Sequence, residues 1–257
     1  MLGGLGDVAE RAGYELLLLS VPTPDQVGRV TDAVRRRRVD GIVLPAAGRG
    51  DPSARELAKA GFPAVVIGHR GRAGDLPWVD ASHDRASAEL TSLMISGGCR
   101  RLALLNGPPE ISARTLRARG FWSAITAAGD AVEHAEEHPV GFDPDEVRSR
   151  VAGFFSQRAG RLPTAIVGGN DTIAAACLDE ARERGLAIPG QLAVSGFDNR
   201  SFSAYTSPPL TTVSMPLHEM GAAAATMLFT LIEGRPLTRR RVVLPAQLIL
   251  RDSTPRR

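Results

Sequence analysis

Short, nearly continuous apolar runs alternate along the chain with longer amphipathic stretches. The runs are Leu16–Leu19, Ile42–Leu44, Ala64–Ile67, Leu102–Leu105, Ala165–Val167 and Leu192–Val194. A strand with one wet face alternates apolar and polar residues. These runs do not, so they read as strands buried on both faces of a parallel sheet. Between them the spacing predicts helices over Gly4–Ala12, Val27–Arg37, Ser53–Ala60, Asp84–Ser96, Thr115–Ala128, Asp145–Gln157, Thr172–Arg184 and Glu219–Glu233. Glycines at 13, 61, 97, 129, 185 and 234 follow several of them, as expected where a left-handed residue ends a helix. Strand–helix–strand repetition with short connections predicts an α/β fold of doubly wound parallel sheets. Such sheets bind ligands beyond the carboxyl ends of their strands. The residues just after each apolar run are therefore the place to look for chemistry. The chain opens inside a helix with no strand before it, which in a βα fold leads us to expect a longer natural protein.

Composition narrows the class. A chain of 257 residues forms one large or two small domains. No window approaches the ~18 to 20 apolar residues of a membrane span. Met1 to Glu15 has no cationic region followed by an apolar stretch, so no signal peptide is read there. Cys99 and Cys177 each sit in or beside an apolar pattern and outside any Cys-x-x-Cys, and read as small buried thiols. Together these features point to the cytoplasm. The net charge is +3, and Lys59 is the only lysine. Arginine used nearly alone reads as codon bias more than as a phosphate-binding surface, although both residue types reach phosphates.

Three strand ends carry polar residues. Asn170 and Asp171 follow Ala165–Gly169. Either caps the next helix, and Asn170 can also offer its amide to a ligand hydroxyl. Asp198 and Asn199 follow the Leu192–Gly196 run, as turn residues or with Asp198 accepting ligand hydroxyls. Arg114 follows Leu102–Asn106 at a helix start, either solvated or presenting a five-donor guanidinium to a ligand. Phe142 is core or a ring wall for a sugar or base. His134 and His138 lie four apart among glutamates and read as a solvated acidic face, with no third ligand for a metal. Arg35–Arg38 suits a helix C-terminus. No cofactor loop, nucleophile elbow or zinc-protease motif is present, so neither a cofactor nor enzymatic activity is expected.

A set of segments then matches a family in order and spacing. They are Arg38-Val39-Asp40-Gly41-Ile42-Val43-Leu44, Ser112-Ala113-Arg114, Pro163-Thr164-Ala165-Ile166, Asn170-Asp171 and Val194-Ser195-Gly196-Phe197-Asp198. Pro208-Pro209-Leu210-Thr211-Thr212-Val213, and Leu244-Pro245 with Arg251-Asp252-Ser253, complete it. Over nearly its whole length the chain resembles the regulatory core of the lactose-repressor family. The resemblance implies a periplasmic-binding-protein-like pair of lobes, with the chain crossing between them three times. One lobe would hold 1–81 and 216–241 without its first strand, the other 82–213 and 244–257. Arg114, Asn170 and Asp198 fall on positions that grip effector hydroxyls or polar ring atoms, and Phe142 on a ring-stacking position. Ser82 with His83 resembles the Ser-His pair at the first crossover. Where many members have Ile-Asp-Arg this chain has Ile67-Gly68-His69, which makes His69 the candidate to replace the lost acceptor. The implied function is a cytoplasmic, allosteric repressor that binds a sugar, sugar derivative or nucleobase. It would act as a homodimer on operator DNA through an N-terminal helix-turn-helix head upstream. The alternative is the sugar-binding protein of a transporter, which shares the fold but is exported.

Overall fold

The computed structural model describes residues 1–19, 26–45, 52–68, 76–109, 111–158 and 160–255, the side chains of residues 26–29 and 31 excepted. Two compact units emerge, Met1–Ala81 with Pro216–Pro245 and Ser82–Met215 with Ala246–Arg257. The chain therefore passes between them three times.

Unit 1 begins with α1 (Leu2–Ala12), α2 (Gln26–Arg35), β1 (Ile42–Pro45), α3 (Pro52–Lys59), β2 (Ala64–Ile67) and β3 (Trp78–Ala81). Unit 2 follows with α4 (His83–Ser96), β4 (Arg101–Asn106), α5 (Ser112–Ala128), β5 (His134–Pro139) and α6 (Pro144–Gln157). It continues through β6 (Ala165–Gly168), α7 (Asp171–Glu183), β7 (Ala193–Ser195) and β8 (Thr212–Ser214). The chain then returns to unit 1 for α8 (Leu217–Ile232) and β9 (Arg241–Leu244), and ends in unit 2 with β10 (Gln247–Ile249).

The unit 1 sheet runs β1-β2-β3-β9, parallel throughout. All four residues of β2 are buried, as its unbroken apolar run requires. Leu44, Leu57, Ala64 and Val66 form the core beneath α2 and α3. On α1 and α8 the helices meet at glycine: a Cβ on Gly4 would overlap the carbonyl oxygen of His218, and one on Gly221 that of Met1. Tyr14 stacks on Phe229 with ring centroids 4.3 Å apart. Leu16–Leu19 departs from expectation. It is not a strand, and its leucines are 44% to 74% exposed. An apolar run becomes a strand only where a neighbour supplies backbone partners, and β1, at the sheet's end, pairs with β2 alone among the described strands.

The unit 2 sheet runs β5-β4-β6-β7, again parallel. Leu102, Ala103, Leu104 and Leu105 are wholly buried between helices on both faces. The short antiparallel pair β8–β10 lies alongside, and a single bridge from Ser195 to Thr211 continues the edge beyond β7. Five strands, β3, β5, β8, β9 and β10, match none of the apolar runs. β3 follows no long apolar run, and β5 spells His-Ala-Glu-Glu-His-Pro at an outer edge. His134 and His138 therefore lie on a strand, not at helical spacing. α4 and α5 cross closely: a Cβ on Gly120 would overlap Asp84's carbonyl oxygen. The Ser87 hydroxyl donates to the Arg117 carbonyl at 2.7 Å, and Arg119 pairs with Asp84. This crossing fixes the height of α5 over the sheet, and with it the side chains α5 aims at the strand ends.

Candidate functional site

The carboxyl ends of β4, β6 and β7 lie side by side in unit 2. Asn106 closes β4 and is buried. Its Oδ1 accepts from Gly107 N at 3.0 Å, while Nδ2 donates to Arg114 O at 3.1 Å and to Glu137 Oε1 at 3.2 Å. One side chain thus ties the end of β4 to the first turn of α5 and to β5.

α5 carries two arginines three residues apart, which share a helix face. Arg114 sits in the first turn and is held by Glu137, Nη2 to Oε1 at 2.8 Å. Glu137 also accepts from Trp122 Nε1 at 3.3 Å. Arg117, nearly one turn on, reaches the strand ends. Its Nη1 donates to Gly169 O, its Nη2 donates to Asp198 Oδ1 at 3.1 Å, and its guanidinium lies 4.5 Å from the Phe197 ring centre. The structure thus brings Asp198 together with Arg117, not with Arg114. Arg117 has no place in the sequence reading because it follows no strand and lies inside the helix. The helix begins at Ser112. The available signal was Gly120, three residues after Arg117, which lets α5 sink toward α4.

Asn170 caps α7: its Oδ1 accepts from Ile173 N at 2.8 Å, which leaves the amide Nδ2 out of the cap. Asp171 is wholly buried. Its Oδ2 accepts from Arg200 N at 2.7 Å and from the Ser203 hydroxyl, and its Oδ1 from the Thr212 hydroxyl. Burial raises the Asp171 pKa above the ordinary carboxylate value, and these bonds only partly offset it. Asp198 and Asn199 both have positive φ, 98° and 47°, and Arg251 Nη2 donates to Asn199 Oδ1 at 2.8 Å.

Phe142 leaves β5 at the same end of the sheet. It is 47% exposed, with its ring edge laid against Gly107, where a Cβ would come within 2.8 Å of it. Ser82 precedes α4, and its hydroxyl accepts from Ala246 N at 3.0 Å, at the last crossover. His69 lies outside the described residues. On the far side of β5, Arg158 and His138 meet Glu136. The Arg158 guanidinium is the main cause of Glu136 falling to a pKa of about 2. Among the described residues no group of three or more histidine, cysteine, aspartate or glutamate side chains could hold a metal ion. Cys99 and Cys177 are buried and unpaired with each other. Burial pushes the Cys99 thiol up to about 11 and that of Cys177 higher still, which suppresses the reactive thiolate.

Two α/β units with parallel sheets, threaded by three crossings, with polar side chains gathered at the strand ends of unit 2, have the architecture of ligand-binding proteins. A family model described as periplasmic binding protein-like domain matches residues 91–254, more than half of the chain, and the chain belongs to that family. Its relatives are transcription regulators. The chain is 26% identical to the HTH-type transcriptional regulator DegA of Bacillus subtilis over 250 residues, covering 96% of this chain and 73% of the relative. A regulatory protein of the LacI family from Chloroflexus aggregans superposes with a TM-score of 0.88 at 29% identity, over 98% of this chain and 90% of that one. The transcriptional regulator CelR in complex with cellobiose also superposes at 0.88, with 26% identity over 98% and 77% of the two chains. Between the two classes left open by the sequence, these similarities decide for the LacI-type regulator over the transporter's binding protein. The relatives are regulators and not enzymes. No helix among the described residues is long and apolar enough to cross a membrane.

Proposed function

We propose that the chain senses a small polar effector, a sugar or a related ring, at the strand ends of unit 2. Arg117 and Asp198 form the polar centre, Asn170 adds an amide donor and Phe142 a ring wall. The Arg117–Asp198 pair carries the reading. Asp198 keeps carboxylate lone pairs beyond the one used by Arg117, and its side chain is 35% exposed, so it can accept ligand hydroxyls. Because the arginine's charge is already matched, the pair suits a neutral polyhydroxylated ring. Arg114, locked to Glu137, shapes the wall behind.

Effector binding then acts by differential affinity for two states of a cytoplasmic homodimer, changing how a separate DNA-binding head engages its operator. Typical coupling is about 1–3 kcal/mol. The structure of CelR is that of its complex with cellobiose, which makes that disaccharide a first probe for this chain.

A thermal-shift screen against sugars, sugar phosphates, polyols and nucleobases tests the reading. A ligand at one hundred times its Kd stabilises by about 2.7 kcal/mol. We expect a hit that disappears in both Arg117→Ala and Asp198→Ala and survives in Arg114→Ala. A hit that persists in Asp198→Ala would place the effector elsewhere.

A further inference from the structure

We infer that Asp171 is the positioning residue for Asp198: its buried carboxylate holds the loop after β7 in a conformation that this loop would not keep unaided, and so sets the affinity of the unit 2 site. The inference rests on the effector reading above.

The loop is strained where it matters. Asp198 and Asn199 are consecutive non-glycine residues at positive φ, and the 98° of Asp198 lies beyond the usual left-handed well. Such conformations persist only where the surroundings over-determine them. The pair itself is held by Asp198 N–H donating to Val213 O at 2.9 Å and Asn199 N–H donating to the Thr212 hydroxyl at 3.4 Å, and the rest of the loop is gathered by one carboxylate. Asp171 accepts from the Arg200 backbone and the Ser203 hydroxyl, just after the strained pair, and from the Thr212 hydroxyl on the neighbouring strand β8. Its own N–H donates to Phe197 O at 2.7 Å, just before the pair. The strained residues are thus pinned on both sides by a single residue. Arg251 adds a hold on Asn199.

A buried carboxylate is a costly way to fix a loop, since its charged form is disfavoured there. Its geometry explains its presence: two oxygens take three donors from separate points of the chain. An asparagine can nearly reproduce this. Its Oδ1 can face Arg200 N and Ser203, and its amide can donate to the Thr212 hydroxyl, which has a second lone pair beside the one that takes Asn199 N–H at 3.4 Å. Alanine cannot.

The test uses Asp171→Ala, Asp171→Asn, Ser203→Ala and Thr212→Val in the whole chain. Each is titrated calorimetrically with cellobiose, D-glucose, D-ribose and adenine. The intraresidue amide–Hα NOE of Asp198, strong at positive φ, is recorded without ligand. We expect Asp171→Ala to bind whichever probe the wild type binds at least about tenfold more weakly, and to lose the strong NOE. Asp171→Asn should restore both, with affinity within about threefold of wild type and a melting temperature at neutral pH no lower than wild type. A role in stability alone would lower the melting temperature and leave the affinity of the folded fraction unchanged. A folded Asp171→Ala with wild-type affinity and an intact NOE overturns the inference. Should Asp171→Ala not fold, wild-type affinity in both Ser203→Ala and Thr212→Val overturns it instead. A wild type that binds none of the probes counts against the effector reading, and the NOE then judges the positioning by itself.

Discussion

In unit 2, Leu102, Leu104 and Leu105 are wholly buried in the middle of a four-stranded sheet, whereas in unit 1 the leucines of Leu16–Leu19 stand 44% to 74% exposed. Their local sequences are nearly interchangeable. The difference lies in the neighbours: β4 is hydrogen-bonded on both sides, to β5 and to β6, and Leu16–Leu19 to no described strand. An apolar run is a request for burial, and the rest of the chain decides whether it is met. The same contrast holds for the helix crossings. α1 on α8 and α5 on α4 both meet through glycine. The second is further tied by a buried hydroxyl bond from Ser87, and it alone aims a site residue.

The contrast can be broken or sharpened with one fluorophore per unit, Trp78 in the first and Trp122 in the second. The largest effect should come from truncating leucines. Leu104→Ala removes a fully buried side chain and should cost about 2–5 kcal/mol, read by Trp122 in urea. Leu18→Ala, 74% exposed, should stay within about 0.5 kcal/mol. A large loss at Leu18 would mean that the run is buried after all.

Next come the crossings. Gly120→Val forces a side chain into the Asp84 carbonyl and should cost about 3 kcal/mol, while Gly4→Val should cost about 1 kcal/mol if α1, which among the described residues has no buried hydroxyl bond like that of Ser87 across its crossing, yields by tilting on α8. Equal losses would show that the two crossings are equally rigid.

The smallest effect is electrostatic. Glu136 is held at a pKa of about 2, below its ordinary value of 4.5, chiefly by Arg158. A depressed carboxylate contributes stability that is present above pH 4.5 and is lost as the pH falls toward 2. Arg158→Gln should therefore cost about 1 kcal/mol at neutral pH, after allowance for solvent screening. It should also flatten the acid limb of the stability curve monitored by Trp122. An unchanged slope would remove Glu136 from the account.

Much of this architecture was legible in the chain. The runs at Ile42–Leu44, Ala64–Ile67, Leu102–Leu105 and Ala165–Val167 all became parallel strands, and the helices fell where the amphipathic stretches lay. What was not legible has physical causes. β5 is an edge strand, so it carries no apolar signature. α4 ends at Gly97, but it is Gly98, with φ of 90°, that turns left-handed. At the site, Asn170 and Asp198 stood out because they follow strands. Arg117 did not, because it lies inside a helix, away from any strand end along the sequence. Asp171 was read only as a possible cap, and its bonds to Arg200, Ser203 and Thr212 span up to 41 residues, a distance that no local pattern records.

The polarity of β5 has a consequence for how copies of this chain meet. An open strand edge is a template on which another chain can grow a sheet. β5 answers with two histidines, two glutamates and a final proline that has no N–H to give, so an added strand would have to strip water from charge for a broken ladder. At the other side, Ser195 already meets Thr211, and Val194 N already donates to Ser253 O. The sheet that carries the candidate site is therefore guarded at both margins against fibre-like growth.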